Sequence, residues 1–225
     1  MTKLEKAINA LQDGRMILLY DADDREGETD LVIPAKSTNP DDVALMRRDG
    51  GGLICVAISP EAADRLGIPF MTDILKHAAY NGNRALQTLV EKDGDLKYDN
   101  HSSFSIWVNH KNTYTGITDN DRTLTINKLG EMVNLTEEGR KIDLGTEFHS
   151  PGHVAILKAA KGLLNERKGQ TELSIALAQK AGITQAMVVC EMLDNHNGKA
   201  LSKKKAKEYA KEHNLPFIEG REITV

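Results

Sequence analysis

Six carboxylates crowd the stretch from Asp21 to Asp30, at positions 21, 23, 24, 26, 28 and 30, with Arg25 as the single cation among them. Their mutual repulsion makes such a loop unfavourable unless something cationic sits in it. Hard divalent ions, which take oxygen ligands and keep bound water, suit it best. A solvated surface loop is the alternative. The apolar run Met16 to Tyr20, which empties directly into the acids, and Gly27, which permits a tight bend, favour a site. The spacing lacks the glycine and distal glutamate of a calcium-binding EF-hand loop.

Three further segments carry chemistry. Ser150-Pro151-Gly152-His153 sets an imidazole behind a rigid turn, at what reads as the mouth of a helix. There its ordinary pKa near working pH suits proton transfer, with a structural histidine as the alternative. His149 lies four residues before His153, but Pro151 between them spoils the helical geometry of a zinc pair. Arg167-Lys168-Gly169-Gln170-Thr171-Glu172 gathers cations, a glycine and a hydroxyl at an expected helix N-terminus, which is a recipe for holding phosphate. Glu191 ends the apolar run Met187 to Cys190, and a carboxylate on a buried strand is costly unless paired or catalytic. These ingredients fit one reaction type, in which cations and a metal hold a phosphorylated, polyhydroxylated substrate among acids and bases. No Gly-rich nucleotide loop of either common pattern competes with that reading.

The elements that must position these groups follow from periodicity and punctuation. Thr2 and Glu5 form a capping-box pattern for a helix over about 3–13, ended by Gly14. Met16 to Tyr20 and Leu31 to Ala35 read as strands flanking the acidic loop. Asn39-Pro40 opens a helix to about Arg48, and Ser59-Pro60 opens another to Gly67, with a strand at Leu53 to Ile58 between them. Residues 71 to 100 are polar and weakly periodic and read mostly as loop. Phe104, Ile106 and Val108 alternate with polar neighbours as in a half-buried strand. Helices are expected near 122–133, from about Val154 to Leu164 and from Thr171 to Lys180, with a buried strand from Gln185 to Met192. The lysines at 203, 204, 205, 207 and 211 follow Ser202, a helix cap, and read as a solvated helix face. Strands alternate with helices without a strict rhythm, so the fold class is α/β or α+β.

Composition narrows the partners. A formal charge of −4 over 225 residues argues against a nucleic-acid binder that neutralises phosphates over a broad basic face. No apolar run approaches the roughly 20 residues of a membrane helix, and the start has no signal-like core. The expectation is a soluble, cytoplasmic protein with no nucleic-acid or membrane partner. Cys55 and Cys190 lie in apolar runs and read as buried free thiols. The glycosylation patterns at Asn100 and Asn134 are then chance matches.

Taken in order, the motifs match one family. Asp23-Asp24-Arg25-Glu26-Gly27-Glu28-Thr29-Asp30, Gly51-Gly52-Leu53-Ile54-Cys55, Thr115-Gly116-Ile117-Thr118 with Asp121-Arg122, Ser150-Pro151-Gly152-His153-Val154, Arg167 to Glu172 and Cys190-Glu191 resemble the dihydroxybutanone phosphate synthases. The resemblance runs from about residue 3 to 217, and the acidic loop looks like the archaeal branch. It implies one domain over 1–225, a mixed sheet with surrounding helices, and a homodimer whose active sites are completed across the interface. It further implies a lyase of riboflavin biosynthesis that uses magnesium or manganese. Such a lyase would convert ribulose 5-phosphate to L-3,4-dihydroxy-2-butanone 4-phosphate and formate.

Carried over residue by residue, the resemblance makes His153 and Glu191 the acid/base groups. Asp21 and Glu28 become candidates for abstracting the first proton. Glu26 becomes a metal ligand that also meets the substrate. Arg25, Asp30, Cys55, Thr115, Arg167, Lys168, Gly169 and Thr171 become substrate contacts, the last four through the sugar phosphate. One position departs: the family's second metal ligand is usually a histidine where this chain has Gln170. Magnesium accepts an amide carbonyl oxygen, so Gln170 is kept as ligand and substrate contact. A metal-dependent ketose-phosphate isomerase or aldolase, or a non-catalytic phosphosugar-binding relative, is the alternative.

Overall fold

The computed structural model describes residues 1–99 and 101–223, which leaves the Asn100 glycosylation pattern outside the described residues. The capping box forms: Thr2 Oγ1 accepts the Glu5 N–H at 3.1 Å, and the Glu5 carboxylate accepts the Thr2 N–H at 2.8 Å. It opens α1 (Lys3–Gln12), and the fully buried strands β1 (Ile17–Tyr20) and β2 (Thr29–Pro34) then flank the acidic loop. Asn39 and Ser59 cap α2 (Pro40–Leu45) and α3 (Pro60–Leu66), each with proline in the first turn, on either side of β3 (Cys55–Ile58). The rest runs α4 (Met71–Tyr80), α5 (Arg84–Leu89), β4 (Phe104–His110), α6 (Asp119–Glu137), β5 (Phe148–Lys158), α7 (Gln170–Ala181), β6 (Ala186–Glu191), α8 (Lys203–Glu212) and β7 (Phe217–Glu219).

The strands form one mixed sheet of seven, in the order β4-β5-β3-β6-β2-β1-β7. The pairs β3/β5 and β1/β7 are parallel and the others antiparallel. Alternation sends successive side chains to opposite faces. Val188 and Cys190 join Ile126, Leu129 and Val133 of α6 on one face, while Met187 and Val189 meet Leu173, Ile175 and Leu177 of α7 on the other. Helices thus cover both faces, and each large apolar side chain buried there contributes about 1.5–3 kcal/mol. Cys55 and Cys190 are both buried and belong to opposite faces.

Two expectations are corrected. The helix expected at Val154 to Leu164 is absent, because β5 runs through Lys158. Val154 to Leu157 is apolar throughout, since β5 is paired on both edges and covered on both faces, and a continuous short run cannot distinguish strand from helix. His153 therefore sits in a strand rather than at a helix mouth. Residues 71 to 100 are not mostly loop either, for they contain α4 and α5. Neither helix has a buried residue, so no core-facing apolar stripe was available to mark it.

Candidate active site

Asp21, 2% exposed, organises the acidic loop: its Oδ2 accepts the Glu26 N–H and its Oδ1 the Glu28 N–H, each at 3.0 Å. That tether fixes the backbone of Glu26 and Glu28 just past the end of β1. Across the sheet, Asp30 on β2 pairs with Glu191 on β6. Gly52 makes room for Glu191, since a Cβ there would overlap the Glu191 carboxylate, and Glu191 Oε2 accepts the Leu53 N–H at 2.8 Å.

A cavity of about 240 Å³ opens over this end of the sheet, and Glu26, Asp30, Cys55, Gln170, Thr171 and Glu191 line it together with Arg167. Seven of the residues singled out in the sequence thus meet around one space. Of the others, Asp21 and Gly169 are buried, Arg25 and Glu28 half-buried, and Lys168 exposed. Asp21, Arg25 and Lys168 line an adjoining cleft on the far side of Arg167. Glu28, Gly169, His153 and Thr115 line neither.

The concentration of acid has an electrostatic cost. Burial, with Glu26, Glu191 and Asp21 nearby, pushes Glu28 up to about 7. Burial first, then the neighbouring carboxylates, raises Asp30 well above the usual carboxylate range. Glu26 is raised chiefly by burial and then by Asp21, and burial likewise keeps the Cys55 thiol protonated. A cation would reverse this logic at every carboxylate.

Gln170 supplies a test of fit. Its Nε2 donates to the carbonyls of Leu19 and Glu28, both at 3.1 Å, which fixes the amide's orientation because only the NH2 end can satisfy two acceptors. Its Oε1 is buried without a partner. A buried orphan acceptor beside Glu26 is what an oxygen-seeking ion would complete. Among the described residues no group of three or more His, Cys, Asp or Glu side chains could hold an ion. The fit is to magnesium, which is commonly held by one or two protein oxygens with water and substrate filling the rest.

Anion-binding groups adjoin it. α7 starts with Gly169 as its cap and no side chain covering its first N–H groups, and Thr171 stands in its first turn. Arg167 bends over Gly169, where a Cβ would come within 2.6 Å of the guanidinium. Arg167 is held by Glu172 at 2.7 Å, and Glu172 Oε1 accepts the Ala160 N–H at 2.9 Å. Arg167 also pairs with Asp99, which Arg25 reaches at 3.0 Å. Tyr98 hydrogen-bonds Glu26. Neither Tyr98 nor Asp99 is marked by the sequence, because an aromatic and an acid in a polar, weakly periodic stretch before a strand carry no signal of their partners.

His153 and Thr115 share a second, exposed corner. β4 and β5 pair Val108 with Val154 but Asn109 with His149, so Ser150 to His153 bulge out of the ladder. Gly152 permits the bulge, since any Cβ there would overlap the Val108 and Asn109 backbone. Thr115 is tied to Asp121, which accepts the N–H groups of Tyr114, Thr115 and Gly116 at 3.3, 3.1 and 2.8 Å.

The family model for 3,4-dihydroxy-2-butanone 4-phosphate synthase matches residues 5–225. This chain belongs to that family. Among curated relatives, the synthases of Methanosarcina mazei and Archaeoglobus fulgidus are 60% and 56% identical to it. The alignments cover 98% and 97% of the chain, and 89% and 91% of those proteins. Among solved structures, the Candida albicans synthase superposes with a TM-score of 0.76 at 26% identity, over the whole chain and 96% of the other. A synthase solved in complex with two magnesium ions gives 0.77 at 24% identity, covering 98% and 94%. The archaeal character of the acidic loop agrees with the relatives found. The chain is accordingly a lyase of riboflavin biosynthesis, which sets aside the isomerase, aldolase and non-catalytic readings.

Proposed function

We propose that the cavity removes formate from ribulose 5-phosphate and releases L-3,4-dihydroxy-2-butanone 4-phosphate. The observation that carries this is the orphaned Gln170 Oε1 beside Glu26, next to the bare N-terminus of α7 and Arg167. Candidate ligands for an ion and for a phosphate line the same cavity. Arg167, Gly169 and Thr171 hold the phosphate, with Lys168 and Arg25 approaching from the adjoining cleft. Magnesium, rather than manganese, is the metal we assign to Glu26 and Gln170, where it would supply Lewis acidity toward the sugar's carbonyl and neighbouring hydroxyl.

Glu28, with its pKa near 7, takes the first carbon-bound proton. Asp21 could share that role by residue type, but both its oxygens are already accepting loop N–H groups, so we assign it the shaping of the loop. Asp30 and the Cys55 thiol, both shifted upward in pKa by burial, line the wall, and Glu191, steadied by Leu53, moves a proton in the later steps.

His153 provides the other acid/base group and Thr115 a hydroxyl, delivered by a second copy of the chain whose exposed corner closes over the cavity. Residues 1–225 on this reading form one catalytic domain acting as a homodimer in the cytoplasm. Purified protein mixed with ribulose 5-phosphate and magnesium, followed by NMR, tests the assignment: formate should appear with substrate loss. Substrate consumed without formate, or no consumption at saturating magnesium, would sink it.

A further inference from the structure

At the exposed corner, His153 has a second-strand companion that the sequence reading passed over. Asn109, 5% exposed on β4, accepts the His153 backbone N–H through Oδ1 at 2.8 Å. The same side chain faces the ring: Nδ2 lies 3.1 Å from His153 Nδ1, and Oδ1 lies 3.3 Å away. The backbone N–H can only donate, so the oxygen end of the amide must face it. That leaves the NH2 end nearest Nδ1. A bare Nδ1 accepts from that NH2 group at the shorter distance, whereas a proton on Nδ1 would have to turn to the longer contact with Oδ1, an oxygen already accepting the His153 backbone N–H. Reversing the amide would aim NH2 at the backbone N–H, two donors in a buried space.

The arrangement is locked from both sides. Gly116 packs so closely that a Cβ there would overlap the Asn109 amide, and Gly152 packs on the Val108 and Asn109 backbone. Asn109 thereby holds both the backbone and the ring of a residue in a bulged segment, where neither would be fixed by ladder pairing.

We propose that Asn109 is the positioning residue of His153, fixing its neutral imidazole as the tautomer with the proton on Nε2, so that Nε2 donates first in the reaction. The inference rests on the acid/base role given to His153 above. It is tested apart from that role by the ring nitrogens of the full-length protein labelled with 15N-histidine. At pH 8.5, above the ordinary range of imidazole, long-range proton–nitrogen correlations identify the tautomer, and a His153→Gln spectrum assigns the signals.

The wild-type protein is expected to show His153 with a bare Nδ1. Asn109→Asp keeps the acceptor for the backbone N–H but turns the facing donor into an acceptor. It should switch the ring to the Nδ1–H form and lower kcat for formate release at least tenfold, with KM within about twofold. A wild-type ring protonated on Nδ1, or a tautomer indifferent to Asn109→Asp, would overturn the proposal. So would a switched tautomer with unchanged kcat. The wild-type tautomer is read without Asn109→Asp, and the assigning substitution His153→Gln lies at an exposed position, so an Asn109→Asp protein that fails to fold leaves the test intact. If the tautomer is as expected but the wild-type protein releases no formate, the functional assignment fails and the positioning of His153 stands.

Discussion

The cavity and the His153 corner contrast at every level. In the cavity, charge is concentrated beyond what one chain can satisfy: Asp30 and Glu28 are driven upward in pKa, and the Gln170 and Asp30 side chains each keep a buried oxygen without a partner. At the corner, a neutral amide, two close-packed glycines and an Asp121 that accepts three backbone N–H groups hold an imidazole open to solvent. One region has unfilled demand and no exposed base. The other has an exposed base and no demand. The pairing of such regions between subunits is a familiar consequence of two-fold symmetry, in which each copy offers both halves.

The contrast is broken most decisively by complementation. Glu26→Ala and His153→Ala should each abolish formate release. Mixing and reassembling them should restore about one quarter of wild-type activity, because half the dimers are mixed and each of those has one intact site. Recovery of nothing would place both groups in one subunit's site and end the shared-site reading.

Gly152→Ala attacks only the corner. The added methyl meets backbone rather than a flexible side chain, so unfolding in urea should show a loss of about 3 kcal/mol or more. An unchanged midpoint would mean that the bulge is not held as described. Gln170→Leu attacks only the cavity, replacing the orphan oxygen with methyl groups of similar bulk. The magnesium concentration for half-maximal rate should rise at least tenfold, read from a titration of formate release.

The smallest effect is on pH. Glu28 and Asp30 titrate higher folded than unfolded, so the native state binds the extra protons, and metal-free stability should fall as pH rises from about 5 to 7. Half-burial of Glu28 lets solvent screen the effect, leaving roughly 1–2 kcal/mol. Saturating magnesium at pH 7 should restore it. Metal-free melting temperatures that climb across that interval would refute the electrostatic account.

Local signals in the sequence succeeded where one segment determines its own structure. The capping box of α1, the Asn-Pro and Ser-Pro starts of α2 and α3, and the acidic loop between two buried strands all appear as read. The phosphate motif does open a helix at Gln170. They failed where the deciding contact is distant. Val154 to Leu157 is strand because β3 and β4 flank it, and nothing in its own order says so. The separation of His153 from the cavity and the grip of Asn109 on it likewise depend on two strands meeting across a bulge. The orphan oxygen of Gln170 depends on carbonyls 151 and 142 residues away.

Because Asp21 fastens the acidic bend with its own two oxygens, the chain itself supplies the bonds that shape that bend. An incoming cation meets ligands whose backbone freedom was surrendered during folding, and its binding need not compensate for ordering them. Chelation should accordingly silence the chemistry while leaving the circular dichroism spectrum of the chain unaltered.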